Sequence, residues 1–186
     1  MIDGWLSCLL TLSFMAWMAP QIMKPAVYIE TSIIGYLASR PSRDLVTASN
    51  QALTRDWWQR DRNKYELFIA LPVVDECSGG DPEAARERMV FLSDIPLLGV
   101  SIDAENLAAQ FLTQIPLPAK AKVDALHLAV CTVHGIDYLL TWNCTHLANP
   151  SLQRRIIEIC DSFGMWPPAI CTPQQLLGDY RSLIEE

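Results

Sequence analysis

Short apolar runs alternate with longer stretches of helical periodicity along most of the chain. Ala26-Val27-Tyr28-Ile29 is a continuous apolar run, the pattern of a strand buried on both faces. Glu30 follows it, and Thr31-Ser32 are positioned to cap a helix over Ile33 to Ala38. Arg40-Pro41-Ser42-Arg43 breaks the chain, and Leu45 to Arg62 reads as a long helix. Glu66 to Leu71 is a second strand. Pro72 then opens a short helix that carries Val73-Val74-Asp75-Glu76 and stops at Gly79-Gly80. Asp81-Pro82 starts the next helix, which runs to Leu92. Ile95 to Val100 reads as a third strand and Asp103 to Gln114 as a helix.

After the rigid Pro116-Leu117-Pro118 connector, Lys120 to His134 is helical, with Val123, Leu126, His127 and Val130 on its apolar stripe. Gly135 serves as its C-terminal cap. Tyr138 to Thr141 is a fourth strand, Trp142 to Pro150 a loop and Ser151 to Phe163 a helix. Ala169-Ile170-Cys171 is a last strand, and Thr172-Pro173 opens a terminal helix. Strands alternating with helices predict an α/β fold, with a mostly parallel sheet and helices on both faces. No repeat or long linker divides it, so residues 23–186 are expected to form a single domain.

The first 22 residues stand apart. Gly4 to Met18 is almost wholly apolar, yet at about fifteen residues it falls short of the roughly 20 needed for a membrane span. Asp3 is the only charge before Lys24, which does not match the basic start of a secretory signal. We read this stretch as an extension from a start codon assigned upstream of Met23. A membrane-associated or packing helix is the alternative, and no stable membrane partner is expected.

Composition sharpens the class. Apolar residues make up 51% and charged residues 19%, a globular balance. The six cysteines form no CxxC pair and match no zinc spacing, so reduced thiols in a cytoplasmic protein are expected. A net charge of −7 argues against a strong electrostatic binder of nucleic acid. It leaves room for metal-dependent chemistry, because a bound cation offsets carboxylates locally.

The candidate chemistry lies after the strands, where open parallel sheets place their sites. Glu30 follows the first strand, Glu76 comes a few residues after the second, and Asn143 follows the fourth. Asp124 is one turn into an otherwise apolar helix. All four are oxygen donors suited to a hard cation such as Mg²⁺ or Mn²⁺. Each also has a plainer reading, an acid after a strand being most often a cap or a solvated side chain. His127, among apolar neighbours, reads as a packed core histidine rather than a ligand. His134 reads as a helix-terminal residue favoured by the dipole. Trp57-Trp58 reads as half core and half surface, with base stacking as the alternative. No G-x-G-x-x-G follows the first strand, which disfavours a dinucleotide-binding enzyme.

Taken in order, three segments resemble PIN domains. YIETSIIGYL is similar to their first strand and helix, and PVVDECSGGDPEAARER to the segment bearing the second acid. AKVDALHLAVCTVHGIDYLLTWN is similar to the third-acid helix and the strand ending at the fourth polar position. The resemblance spans Val27 to Asn149. It implies a PIN-like three-layer α/β/α sandwich and a Mg²⁺- or Mn²⁺-dependent ribonuclease. Bacterial members are commonly VapC-type toxins paired with an antitoxin, and a homodimer is expected on the same ground. Carried over, the catalytic set is Glu30, Glu76, Asp124 and Asn143, with the metal on Glu30, Glu76 and Asp124. Ser32 supports the first acid. Read from position alone, Arg43 and Lys122, which flank site acids, and His146, near Asn143, are candidate RNA contacts, with scattered surface charge and a capping histidine as the plainer readings. Glu30 and Asn143 depart from the family, which has Asp at both positions. The neutral Asn143 implies a weaker second metal, and it keeps open a catalytically weakened RNA- or protein-binding module.

Overall fold

The computed structural model describes residues 24–115 and 121–177. The N-terminal apolar run, the Pro116–Pro118 connector and Lys120 lie outside the described residues.

Five parallel strands form one sheet in the order β3-β2-β1-β4-β5. They are β1 (Ala26–Ile29), β2 (Glu66–Ala70), β3 (Leu97–Leu98), β4 (Tyr138–Leu140) and β5 (Ala169–Cys171). Strand β1 is central, with Tyr28 paired to Phe68 of β2 on one side and to Leu139 of β4 on the other. Val27, Tyr28 and Ile29 are accordingly fully buried. That is why its sequence reads as an unbroken apolar run rather than an alternation.

Eight α-helices connect the strands among the described residues: α1 (Thr31–Ala38), α2 (Leu45–Arg60), α3 (Leu71–Ser78), α4 (Pro82–Val90), α5 (Ile102–Gln114), α6 (Lys122–Val133), α7 (Pro150–Ser162) and α8 (Pro173–Leu176). The chain steps outward from β1 through β2 to β3, then returns to β4 on the other side of β1. Right-handed crossovers then place α1–α4 on one face and α5–α7 on the other. Packing agrees: α1 contacts α2, α3 and α4, whereas α5 contacts α6 and α7. The expected three-layer arrangement is therefore present. Its sequence direction reverses between β1 and β4, the switch point where such sheets open a crevice.

Several boundaries differ from expectation for local reasons. Strand β3 is only Leu97–Leu98, not Ile95–Val100, because it pairs with β2 alone at the sheet edge. Helix α2 ends at Arg60, and a 3₁₀ turn occupies Arg62–Lys64. Helix α1 begins at Thr31, two residues earlier than expected, because Glu30 itself is its cap. The carboxylate accepts the Ser32 backbone N–H at 3.1 Å, taking the role that the sequence assigned to Thr31-Ser32. At the far end of α6, His134 is the C-cap and Gly135 adopts φ 64°, the left-handed turn expected of it.

Candidate metal and nuclease site

The carboxyl ends of β1 and β4 lie side by side, since Ile29 pairs with Leu140. The next residues, Glu30 and Thr141, therefore meet. Thr141 is fully buried and donates its hydroxyl to Glu30 Oε2 at 2.8 Å. The same oxygen accepts the Ser32 N–H and the Ser32 hydroxyl. Ser32 thus supports the first acid, and its hydroxyl also receives the Trp142 N–H at 2.9 Å. At 6% exposure, Glu30 meets these protein donors where water would otherwise solvate it.

Glu76 reaches the same place from α3. Its Oε2 accepts the Thr31 hydroxyl at 2.5 Å and lies 3.3 Å from His127 Nε2. The hydrogen bond from His127 holds the Glu76 carboxyl below its ordinary range, against the opposing effect of partial burial. Glu30, Glu76 and His127 each offer a ligand atom within 4.8 Å of the others. In both acids the protein donors converge on Oε2, so Oε1 has no protein hydrogen bond among the described residues. Donor groups that fix one oxygen and leave the other exposed are how ligating carboxylates are commonly oriented. Hard oxygen donors and a Glu76 side chain that is 40% exposed suit a divalent cation that retains several waters. The residues present fit such an ion.

Asp124 belongs to a neighbouring cluster. Its Oδ1 accepts Asn143 Nδ2–H at 3.0 Å, and its Oδ2 lies 2.8 Å from His146 Nδ1. Asn143 Oδ1 in turn accepts the His146 backbone N–H at 3.1 Å. That acceptor role fixes the amide orientation, because the opposite flip would oppose two donors. The Asn143 backbone N–H donates to Thr141 Oγ1 at 2.9 Å, which joins the two clusters. A continuous path of hydrogen bonds and adjacent residues thus runs from Glu76 through Thr31 to Glu30, Thr141, Asn143, Asp124 and His146.

All four sequence-picked positions reach one sheet edge. Glu30 and Glu76 share the tight group, while Asn143 faces Asp124. Arg43 lies exposed in the loop between α1 and α2, and Lys122 is exposed at the start of α6. Neither bonds to a site carboxylate among the described residues. Sequence reasoning missed the roles of Thr31, Thr141 and Tyr28. It read His127 as a hydrogen-bonded core residue, which its 0% exposure supports, but not its reach to Glu76. Trp57 is buried, and the face of Trp58 is covered by the Arg62 guanidinium 4.7 Å from the ring centroid.

No protein-family model matches the sequence, and no curated protein matches it. Solved structures do resemble it. The chain is 18% identical to the Mycobacterium tuberculosis toxin VapC20, described as cleaving the sarcin–ricin loop. That match covers 67% of this chain and 95% of VapC20, with a TM-score of 0.52. Rickettsia felis VapBC2, solved on a promoter DNA fragment, matches at 13% identity over 79% of this chain and 98% of its own, with a TM-score of 0.48. The fold is PIN-like. The resemblance read from the three segments thus extends to the overall fold. No helix among the described residues is long and apolar enough to cross a membrane.

Proposed function

We propose that this chain is a Mg²⁺- or Mn²⁺-dependent ribonuclease, the toxin of a toxin–antitoxin pair. The observation that carries the reading is the Glu30–Glu76 pair at the switch point, each with its protein donors gathered on Oε2 and no protein hydrogen bond to Oε1 among the described residues. Glu30 and Glu76 would hold the cation, with Asp124 of the neighbouring cluster as the third ligand that the PIN-domain resemblance implies. Each Asp124 oxygen accepts one protein hydrogen bond and has a second lone pair to offer. When bound, the ion supplies charge stabilisation at the phosphate and acidifies a water.

The chain's own residues do the rest. Ser32 and Thr141 hold Glu30 in place through its Oε2. Asn143 steadies Asp124 and shapes the turn that brings His146 to it. His146, with Nδ1 directed to Asp124, presents Nε2 to the substrate backbone. Arg43 and Lys122 supply exposed positive charge for RNA phosphates. RNA is the substrate class favoured by the PIN-like fold and by the activity described for VapC20. A homodimer, a cognate antitoxin and a cytoplasmic setting complete the reading.

Titration of the purified chain with Mn²⁺, followed by RNA cleavage assays, tests it. Cleavage is expected only with metal and is expected to be lost in Asp124→Asn. Absence of Mg²⁺ or Mn²⁺ binding, with and without RNA, would sink the proposal. A second reading, a PIN-fold module that binds RNA or protein without cutting, draws on Asn143. Its amide group is committed to Asp124 and its carbonyl to the His146 N–H, so it adds no charge for a second ion. Stable RNA binding with metal bound but no cleavage would favour that module.

A further inference from the structure

His127 is fully buried on α6, one turn after Asp124, and both of its ring nitrogens have partners. Nδ1 lies 2.8 Å from the Tyr28 hydroxyl, and Nε2 lies 3.3 Å from Glu76 Oε2. Which nitrogen carries the hydrogen decides what the ring can do. A bare Nε2 could bind a cation, whereas an Nε2–H can only donate.

Tyr28 settles the question. It is fully buried in the central strand, and burial pushes its phenol far above the ordinary range, so the hydroxyl keeps its hydrogen. That hydrogen needs an acceptor. His127 Nδ1, at 2.8 Å, is the hydrogen-bond partner the hydroxyl has among the described residues. A hydrogen on Nδ1 would make the phenol oxygen the acceptor, strand the buried O–H and set a bare Nε2 against Glu76 Oε2, an arrangement folded proteins avoid. Nδ1 therefore accepts. The hydrogen on Nε2 then points at Glu76 Oε2, 3.3 Å away.

We propose that Tyr28 and His127 are a positioning pair for Glu76: the phenol fixes the imidazole as its Nε2–H tautomer, and that N–H holds Glu76 Oε2 so that Oε1 faces the cation. His127 is then a donor behind the metal site and not a ligand in it, although its Nε2 lies within 4.8 Å of both acids. The tautomer stands on Tyr28 alone, whereas the positioning step rests on the metal-dependent reading above.

The two parts are tested separately on the full chain. Nitrogen–proton correlation spectra of ¹⁵N-histidine-labelled, metal-free protein, with His127 assigned through His127→Gln, are expected to show Nδ1 bare and Nε2 protonated. An Nδ1–H or doubly protonated ring would overturn the assignment. Mn²⁺ affinity, read by electron paramagnetic resonance at fixed pH, is expected to fall about 10-fold or more in Tyr28→Phe and His127→Ala, the usual effect of losing such a support. His127→Gln, which retains an amide donor, is expected to recover part of it. In cleavage, kcat is expected to fall with KM for RNA little changed, a split that loosened packing would not give. Tyr28→Phe keeps the ring volume, and thermal melts confirm folding of each variant. Unchanged Mn²⁺ affinity in folded Tyr28→Phe and His127→Ala, with wild-type binding intact, would overturn the positioning role. If the wild type binds no Mn²⁺, the positioning step falls with the metal reading, and the spectra still decide the tautomer.

Discussion

Thr141→Val probes the junction on which the site depends. The hydroxyl is fully buried, donates to Glu30 Oε2 at 2.8 Å and accepts the Asn143 N–H at 2.9 Å. Valine preserves the shape and removes both bonds. A hydrogen bond to a charged group contributes about 1.5–3 kcal/mol, and a stranded amide costs about 1–3 kcal/mol. Asn143 is only partly buried, so water relieves some of the second cost. The expected loss is therefore about 3 kcal/mol, or a fall in Tm of roughly 6–12 °C for a chain of this size. Thr141→Ser keeps the hydroxyl and loses one methyl group, at about 1 kcal/mol. Urea denaturation followed by tryptophan fluorescence, with chelator present, measures both without any contribution from metal. If valine proves no worse than serine, the hydroxyl is not the junction, and the link between Glu30 and Asn143 has been misread.

Other outcomes follow from the same geometry. Glu76→Gln keeps the shape of the side chain but removes its charge; calorimetry should show Mn²⁺ binding weakened at least 10-fold, and unchanged binding would remove Glu76 from the site. Gly135→Ala should cost about 1 kcal/mol in urea denaturation, because a Cβ there meets no atom within 4 Å and only the φ of 64° opposes it. Asparagine at the same position should cost less, since it tolerates that conformation better. Among the described cysteines Cys144 is exposed, whereas Cys77, Cys131, Cys160 and Cys171 are buried and their thiols are pushed up by burial. In a Cys8→Ser background, one thiol should therefore react quickly with a disulfide reagent at neutral pH, and Cys144→Ser should abolish that fast phase.

The parts legible in the sequence are those encoded by local pattern. The apolar run of β1, the Asp81-Pro82 start of α4 and Gly135 at the end of α6 each follow from a rule acting within a few residues. Strand-then-acid order also placed Glu30 and Asn143 correctly at the sheet edge, because chain direction and strand end coincide in a parallel sheet. What escaped depends on register. Thr141 reads as the last residue of a strand, and only the pairing of Ile29 with Leu140 puts its hydroxyl on Glu30. His127 reads as core by its apolar neighbours and is core by burial. Its two partners come from β1 and α3, which lie 99 and 51 residues away along the chain. The length of β3 escaped for the opposite reason: the apolar residues are present, but an edge strand is defined by the single neighbour it pairs with.

The neutral Asn143 changes how the site is balanced. An aspartate there would set a second carboxylate against Asp124 at 3.0 Å, the distance now spanned by the Asn143 amide. Two ionised carboxylates that close repel strongly unless a cation or a proton lies between them. With asparagine the repulsion becomes a hydrogen bond, and the Asn143 carbonyl accepts the His146 backbone N–H. Asp124 is thus ordered without a second ion, by Asn143 and His146 together. The longer Glu30 fits the same logic. Its additional methylene lets one carboxylate cap α1 through Ser32 N–H, meet Thr141 and still leave Oε1 open. Glu30 and Asn143 are therefore alike in one respect: each takes part in orienting an acid of the site through hydrogen bonds within the protein.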